Sequence, residues 1–285
     1  MKKTLYLTIL AIVTVICIII GSVYHIAGWF GNVWFGGHSI LGDIWGFITN
    51  DDSYRRDRSH VTYSEDLSAF DKIEIDTSVM DVTINTGDTY HLEYDCLAYL
   101  KPDMSVKGRT FNLEQPEVRW PGSNNKCSMI LTVPTGTVLN STDISSNVGN
   151  ISMYNIESGD ITVDADVGDI TVESCSFESS DIQGNVGNIN ARTSNLGNFS
   201  AETDTGDIKI ETCEFKDIDI YNDVGDVKLD TNNIDISGYE IDLSTDVGSV
   251  HYNGKNHKKY YYQPASGSSS YSIEIETDIG DVIFN

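Results

Sequence analysis

Apolar positions follow two different patterns along the chain. From Leu5 to Ile20 they form a run broken only by two Thr, whereas from Ile73 onward they alternate with polar residues. A helix needs about 20 mainly apolar residues to cross a bilayer, and Lys2 and Lys3 ahead of an uncharged stretch to Phe30 set the N-terminus in the cytoplasm. The competing reading is a cleaved secretory signal, which shares the basic start but needs small residues at its cleavage site. None stands out here. Cys17 follows Ile16 inside the apolar run, which does not suit a lipoprotein signal.

Trp29, Phe30, Trp34 and Phe35 come just after the span, at the depth where aromatic rings settle among lipid headgroups. They favour retention as an anchor over residues 1–30. Ile40, Leu41, Ile44, Trp45 and Ile48 recur at spacings of three and four, as on one face of a short interfacial helix. Gly36, Gly37, Gly42 and Gly46 fit an irregular apolar linker equally well. Residues 31–64 therefore read as a juxtamembrane aromatic segment, then a polar linker carrying Arg55, Arg56 and Arg58.

The alternating region is a repeat. Val-Gly-Asp/Asn-Ile recurs around Gly149, Gly168, Gly187, Gly206 and Gly225 with a spacing of 19, and further copies centre on Gly248 and Gly280. Two residues after each glycine stand Ile151, Ile170, Ile189, Ile208, Val227, Val250 and Val282. Four after stand Met153, Val172, Ala191, Ile210, Leu229, Tyr252 and Phe284, with mostly polar residues between the two columns. This is a strand with one buried face, repeated so that each coil stacks on the last.

Val148, Val167, Val186, Val224, Val247 and Ile279 precede the glycines and are expected to point inward too. The separation of three from the next inward residue then places a corner at each glycine, where positive φ is free and Asp or Asn can bond nearby backbone. A second corner is expected halfway round, at Gly159 and Gly197. Phe177, Leu196, Phe215 and Ile234, nine after a glycine, add a column of large inward side chains. The fold class is thus all-β, a parallel β-solenoid over residues 140–285, with seven or eight coils about 4.8 Å apart making a rod roughly 35 to 40 Å long. Residues 65–139 read as an irregular β cap. The C-terminal copy, Ile273 to Phe284, is placed to cover the other end.

Charge narrows the partners. With 18 basic against 43 acidic residues the formal net charge is −25, which argues against nucleic acid. From Asp51 onward 16 basic face 42 acidic residues, once Lys2, Lys3 and Asp43 are set aside, so anionic wall polymers and lipids are repelled unless cations intervene.

Phe70-Asp71-Lys72-Ile73-Glu74-Ile75, Ile130-Leu131-Thr132-Val133-Pro134-Thr135-Gly136, the Gly-Asp corners and the closing Tyr271 to Val282 stretch together resemble the bacterial putative adhesin family, a domain of unknown function. The resemblance covers about Phe70 to Asn285. It implies a Gly-Asp repeat β-solenoid, often behind a membrane anchor, associated with the envelope and non-enzymatic. It supplies no catalytic residues.

The residues agree. His25, His38, His60, His91, His251 and His257 keep no zinc-ligand or protease spacing, and G-x-S-x-G, Walker and dinucleotide motifs are missing from the sequence. No catalytic, metal or cofactor-binding residues are assigned. Asp166 and Asp169, Asp204 and Asp207, and Asp223 and Asp226 would align in a carboxylate ladder that calcium could relieve, although turn chemistry alone explains Asp and Asn there. The insert from Tyr252 to Tyr271 gathers Lys255, His257, Lys258 and Lys259 with Tyr260, Tyr261 and Tyr262. It reads as a solvated hairpin or as a contact loop. Cys175 and Cys213 share a column with Ser194 between them, too far apart for a disulfide. Cys96 and Cys127 are left open. The expectation is a single-pass membrane protein with its C-terminal domain extracytoplasmic, a structural or interaction module for envelope protein or neutral glycan. A carbohydrate-active β-helix enzyme and a calcium-responsive envelope element are the alternatives.

Overall fold

The computed structural model describes residues 59–117, 127–231, 234–266 and 271–285. The expected membrane span, the aromatic segment and nearly all of the linker lie outside the described residues. Among the described residues no helix is long and apolar enough to cross a membrane. The one helical element among them is a 3-10 turn, Ala98–Leu100.

The first strand, β1 (His60–Asp66), begins inside the stretch read as linker. It is followed by β2 (Lys72–Thr77), β3 (Asp81–Gly87), β4 (His91–Leu97), β5 (Asp103–Lys107), β6 (Thr110–Glu114) and β7 (Ser128–Pro134). The repeat then supplies long and short strands in turn: β8 (Val138–Val148), β9 (Ile151–Tyr154), β10 (Glu157–Val167), β11 (Ile170–Glu173), β12 (Ser176–Val186) and β13 (Ile189–Arg192). The same alternation continues through β14 (Asn198–Thr205), β15 (Ile208–Glu211), β16 (Asp217–Val224), β17 (Val227–Asp230), β18 (Glu240–Val247) and β19 (Val250–Tyr252). A small hairpin, β20 (Lys255–Asn256) and β21 (Tyr260–Gln263), precedes the closing pair β22 (Ser272–Ile279) and β23 (Val282–Phe284).

The long strands of the repeat lie in one sheet, β21-β18-β22-β16-β14-β12-β10-β8-β2-β6-β5, and its short strands in the other, β1-β4-β7-β3-β9-β11-β13-β15-β17-β23-β19-β20. From β8 to β17 the pairing is parallel and in register at the 19-residue period, as in Ile170 against Ile151 and Ile189. The columns two and four after the glycine are buried from end to end, except that Tyr252 is only half-buried. Phe177, Leu196 and Phe215 are buried as expected. Ile234 is only partly buried.

Three expectations are corrected. First, the valines before the glycines face solvent: Val167 is 45% and Val186 49% exposed. The ladder between the long strands skips Asp166 and Asn185, pairing Ala165 with Gly184 and then Val167 with Val186. The corner therefore opens two residues before the glycine, and the inward parity ends at Ala165 and Gly184.

Second, the halfway feature at Gly159 is a bend within β10, whereas at Gly197 it is a corner as expected, with φ at 64° just ahead of β14. The ladder skips Gly159 and Glu178, and inward parity shifts from Phe177 to Ser180. A full turn lies earlier, six residues after the glycine, at Asn155, Ser174, Thr193 and Thr212, all with φ between 50° and 59°. Their N–H groups bond carbonyls of the next coil, as Ser174 does with Arg192, which offsets the roughly 1 kcal/mol cost of a left-handed non-glycine residue.

Third, the C-terminal copy does not close the stack. β22 lies between β16 and β18, and β23 between β17 and β19. The outermost coil is β18 and β19, sealed by its own insert, because β21 runs antiparallel along β18 and β20 antiparallel along β19. Antiparallel strands of this kind interrupt the template that an open parallel edge offers to other chains.

Candidate interaction surface

The corner is built by backbone contact. A Cβ on Gly187 would sit 2.0 Å from the carbonyl oxygen of Gly168, one on Gly206 1.9 Å from that of Gly187, and φ at both lies near 150°. Glycine is required by the close approach of coils as much as by φ. The following Asx residue bonds along the stack. The Oδ1 of Asp81 accepts the N–H of Asn150, and the same bond runs from Asn150 to Asp169, Asp169 to Asn188, Asn188 to Asp207 and Asp207 to Asp226. Asp226 and Asp281 continue it to the N–H of Ser249. Each side chain thus satisfies a backbone donor of its neighbour, which is why either Asp or Asn serves.

That arrangement bears on calcium. Ladder Oδ1 atoms are already occupied as acceptors, and among the described residues no group of three or more His, Cys, Asp or Glu could hold a metal ion. Exchanging magnesium for millimolar calcium at fixed ionic strength should move the melting temperature by less than about 1 °C, since only a ligand of the native state raises it. A calcium-specific rise of several degrees would contradict this.

At the C-terminal end the insert forms an aromatic cap. Tyr261 stacks on Tyr252 with ring centroids 4.3 Å apart and meets His257 at 4.6 Å, and Tyr252 in turn lies 5.3 Å from Phe284. Tyr260 and Tyr262 alternate to the outer face and are 54% and 46% exposed. Their hydroxyls donate to Asp242 and Glu240 respectively. Lys259 bonds the backbone carbonyl of Asp246.

The same face carries a row of carboxylates, because register places Asp219 beside Glu274 and Glu274 beside Asp242. Burial raises the Glu274 carboxyl above the usual range, helped by the charges of Asp219, Asp242, Glu276 and Glu240. Tyr221 bonds Asp223, and that bond with partial burial and nearby carboxylates pushes its hydroxyl up to about 12. A carboxyl raised in the folded state favours folding at low pH, and that contribution is lost as pH climbs from the ordinary glutamate value. Glu274→Gln is therefore expected to raise the melting temperature by about 1–2 °C at pH 7 and by nothing at pH 4. Scanning calorimetry at the two pH values checks it; an equal shift at both would remove charge as the cause.

At the opposite end the cap strands bring histidines to carboxylates that sequence spacing did not reveal. His60 Nδ1 lies 2.8 Å from Asp95. His91 Nδ1 lies 2.7 Å from Asp66, which the hydrogen bond holds below the usual range. Ser64 Oγ lies 3.0 Å from His91 Nε2. These are the connections of a hydrolytic triad. The setting differs: all three stand on a sheet face, the Asp66 side chain is 73% exposed, and Glu93 approaches the same Nε2 at 3.4 Å. Water weakens the polarisation a buried carboxylate would give. A fluorophosphonate probe is expected to leave Ser64 unlabelled, and stoichiometric labelling there would restore an enzymatic reading.

Of the cysteines, Cys175 and Cys213 are free and buried. Ser194 sits between them, its hydroxyl accepting the Cys175 N–H. Cys96 and Cys127 are likewise free and buried, in the N-terminal cap.

These features define a class: an acidic parallel β-solenoid whose repeated residues maintain the stack and whose distinctive side chains gather at its two ends. The chain belongs to the Toastrack DUF4097 family, whose model matches residues 70–281. Comparison with curated proteins finds no match. Solved structures with a similar course include a putative adhesin from Bacteroides fragilis, 17% identical over 80% of this chain and 98% of that one, with a TM-score of 0.46. A putative cell adhesion protein from Clostridium sporogenes is 16% identical over 79% and 99%, TM-score 0.42. A putative lipid binding protein from Parabacteroides distasonis is 14% identical over 80% and 95%, TM-score 0.30.

Proposed function

We propose that the chain is a membrane-anchored, extracytoplasmic β-solenoid that binds an uncharged envelope partner through its C-terminal cap and performs no catalysis. The observation that carries this is the exposed pair Tyr260 and Tyr262, held over Asp242 and Glu240 at the end of the stack away from β1. Tyrosine offers broad, rigid contact area at low entropic cost. Rings beside carboxylate acceptors suit the C–H faces and hydroxyls of a neutral glycan, and they suit a protein surface with free donors. The overall negative charge disfavours anionic polymers.

A photo-crosslinking residue at position 262 of the full-length chain, in living cells, tests it against the same residue at Thr171 in the middle of the stack. A discrete adduct at 262 and none at 171 is expected, with mass spectrometry reporting glycan or protein. Equal labelling at both positions, or none at 262, would contradict the reading. The carbohydrate-active alternative places Glu274 as an acid. It requires turnover of a glycan that Glu274→Gln abolishes, whereas the binding reading expects no turnover in either form and unchanged crosslinking at position 262.

A further inference from the structure

We propose that Cys96 and Cys127 form a disulfide that staples the N-terminal cap. Antiparallel pairing of β4 and β7 sets Asp95 opposite Ser128, so the next residues in that register, Cys96 and Cys127, face each other. Both side chains are buried on the core side, continuing the inward rows of Leu92 and Tyr94 on one strand and Met129 and Leu131 on the other. Directly opposed positions of an antiparallel pair bring Cα atoms to roughly 4.5–5.5 Å, within the span a disulfide bridges.

The surroundings favour one thiolate. The neighbouring Cys96 thiol holds Cys127 below the usual thiol range, while Cys96 itself is pushed up by Cys127 and by burial. The oxidant is a small or protein disulfide. Cys127 thiolate attacks one of its sulfurs, giving a mixed disulfide and releasing one thiol of the oxidant. Cys96 then loses its proton and attacks the Cys127 sulfur, closing the bond and releasing the second thiol. Two electrons pass to the oxidant, and the two protons of the cysteines end on its thiols. Because both sulfurs are buried, exchange takes place through a local opening of the cap edge that keeps β4 and β7 paired, and the finished bond is shielded.

The cross-link closes a loop from residue 96 to residue 127 that contains β5 and β6. Those strands belong to the long-strand sheet, while β4 and β7 belong to the short-strand sheet. Within the loop Gln115 ties the layers together, accepting the N–H groups of Ser78 and Val79 and donating to the Leu100 carbonyl. A staple across its base therefore fixes both sheets at one end.

In the cell this rests on the extracytoplasmic reading, since that compartment supplies the oxidant. The full-length chain in detergent is unfolded, refolded in a glutathione buffer, alkylated and digested with trypsin, which cuts after Lys107 and Lys126. A linked Cys96–Cys127 peptide is expected. It should persist in Cys175→Ala, vanish in Cys127→Ala, and resist reductant until the protein is denatured. The oxidised chain should melt roughly 10 °C above the same chain reduced. Alkylation of both thiols after refolding, or linkage of either to Cys175 or Cys213, would overturn the proposal. Protein alkylated directly in cells separates the two claims: a bond that forms in the refolding buffer but is missing in cells upholds the site and overturns the location.

Discussion

Gly187→Ala is expected to prevent the solenoid from assembling. The new methyl would stand 2.0 Å from the Gly168 carbonyl oxygen and 2.6 Å from its carbon, which is backbone and cannot rotate away. Relief requires the coils to separate at the corner, breaking the Asp169 and Asn188 bonds of the Asx ladder on both sides. Together with φ near 148°, the loss should exceed about 4 kcal/mol, enough to consume much of a domain's stability. Two other glycines isolate the cause. Gly108 has positive φ but open space around its missing Cβ, so Gly108→Ala should cost only about 1 kcal/mol. Gly184 lies in the column of Ala165, and a methyl there would meet Thr203 Oγ1 at 3.7 Å, so Gly184→Ala should be neutral or stabilising by up to about 1 kcal/mol. Circular dichroism shows whether Gly187→Ala assembles, and urea unfolding ranks Gly108→Ala and Gly184→Ala; a Gly187→Ala variant that folds and loses no more than these would remove carbonyl contact as the reason for the glycine column.

Deleting residues 272–285 is expected to do more than shorten the rod. The segment buries Ile273, Ile275, Val282 and Phe284 and pairs on both sides, so its loss leaves a gap between β16 and β18. A terminal cap could be removed at the cost of one exposed layer. An interior coil cannot, and the truncated chain should lose cooperative unfolding or precipitate. Phe284→Ala offers a graded form: the ring is fully buried against Tyr252, so the variant should lose about 3–5 kcal/mol while remaining folded. Cooperative, near-native melting of the truncated chain would contradict the threaded arrangement.

The coil order shows where sequence stops being informative. Spacings of 23 and 32 after Gly225 reveal insertions, but a parallel column accepts either late copy at either level. The choice follows from the hairpin. Tyr252 to Gln263 folds back antiparallel on β18 and β19, which closes that coil's outer edge, and only the copy without an insert can pair on both sides. The valines before the glycines fail for a different reason. Alternation along the strand is sound up to Ala165, but the ladder skips Asp166, and a one-residue skip reverses parity. The turn at Asn155, Ser174, Thr193 and Thr212 carries no shared glycine to mark it. The inward columns after each glycine were legible because close packing tolerates only apolar side chains there.

The ends were less legible than the stack. The Tyr252 to Tyr271 insert stands out in sequence, yet its outward pair, Tyr260 and Tyr262, could be told from the half-buried Tyr261 only once its register with β18 was known. The pairings of His60 with Asp95, His91 with Asp66, and Cys96 with Cys127 depend on which strands neighbour one another in the cap. Sequence separations of 35, 25 and 31 residues give no hint of them.

Distances between spin labels test the threaded solenoid most directly. Labels at Thr171 and Ile283 are separated by four coil steps, through Asn190, Lys209 and Lys228, whereas Thr171 and His251 are separated by five. At about 4.8 Å per step the first pair should lie near 19 Å and the second near 24 Å. The four native thiols among the described residues are buried, so with Cys17 replaced by Ala the introduced cysteines take the label. A shorter distance to 283 than to 251 is the result the structure predicts; the reverse order would show that the coils stack as they occur in the sequence.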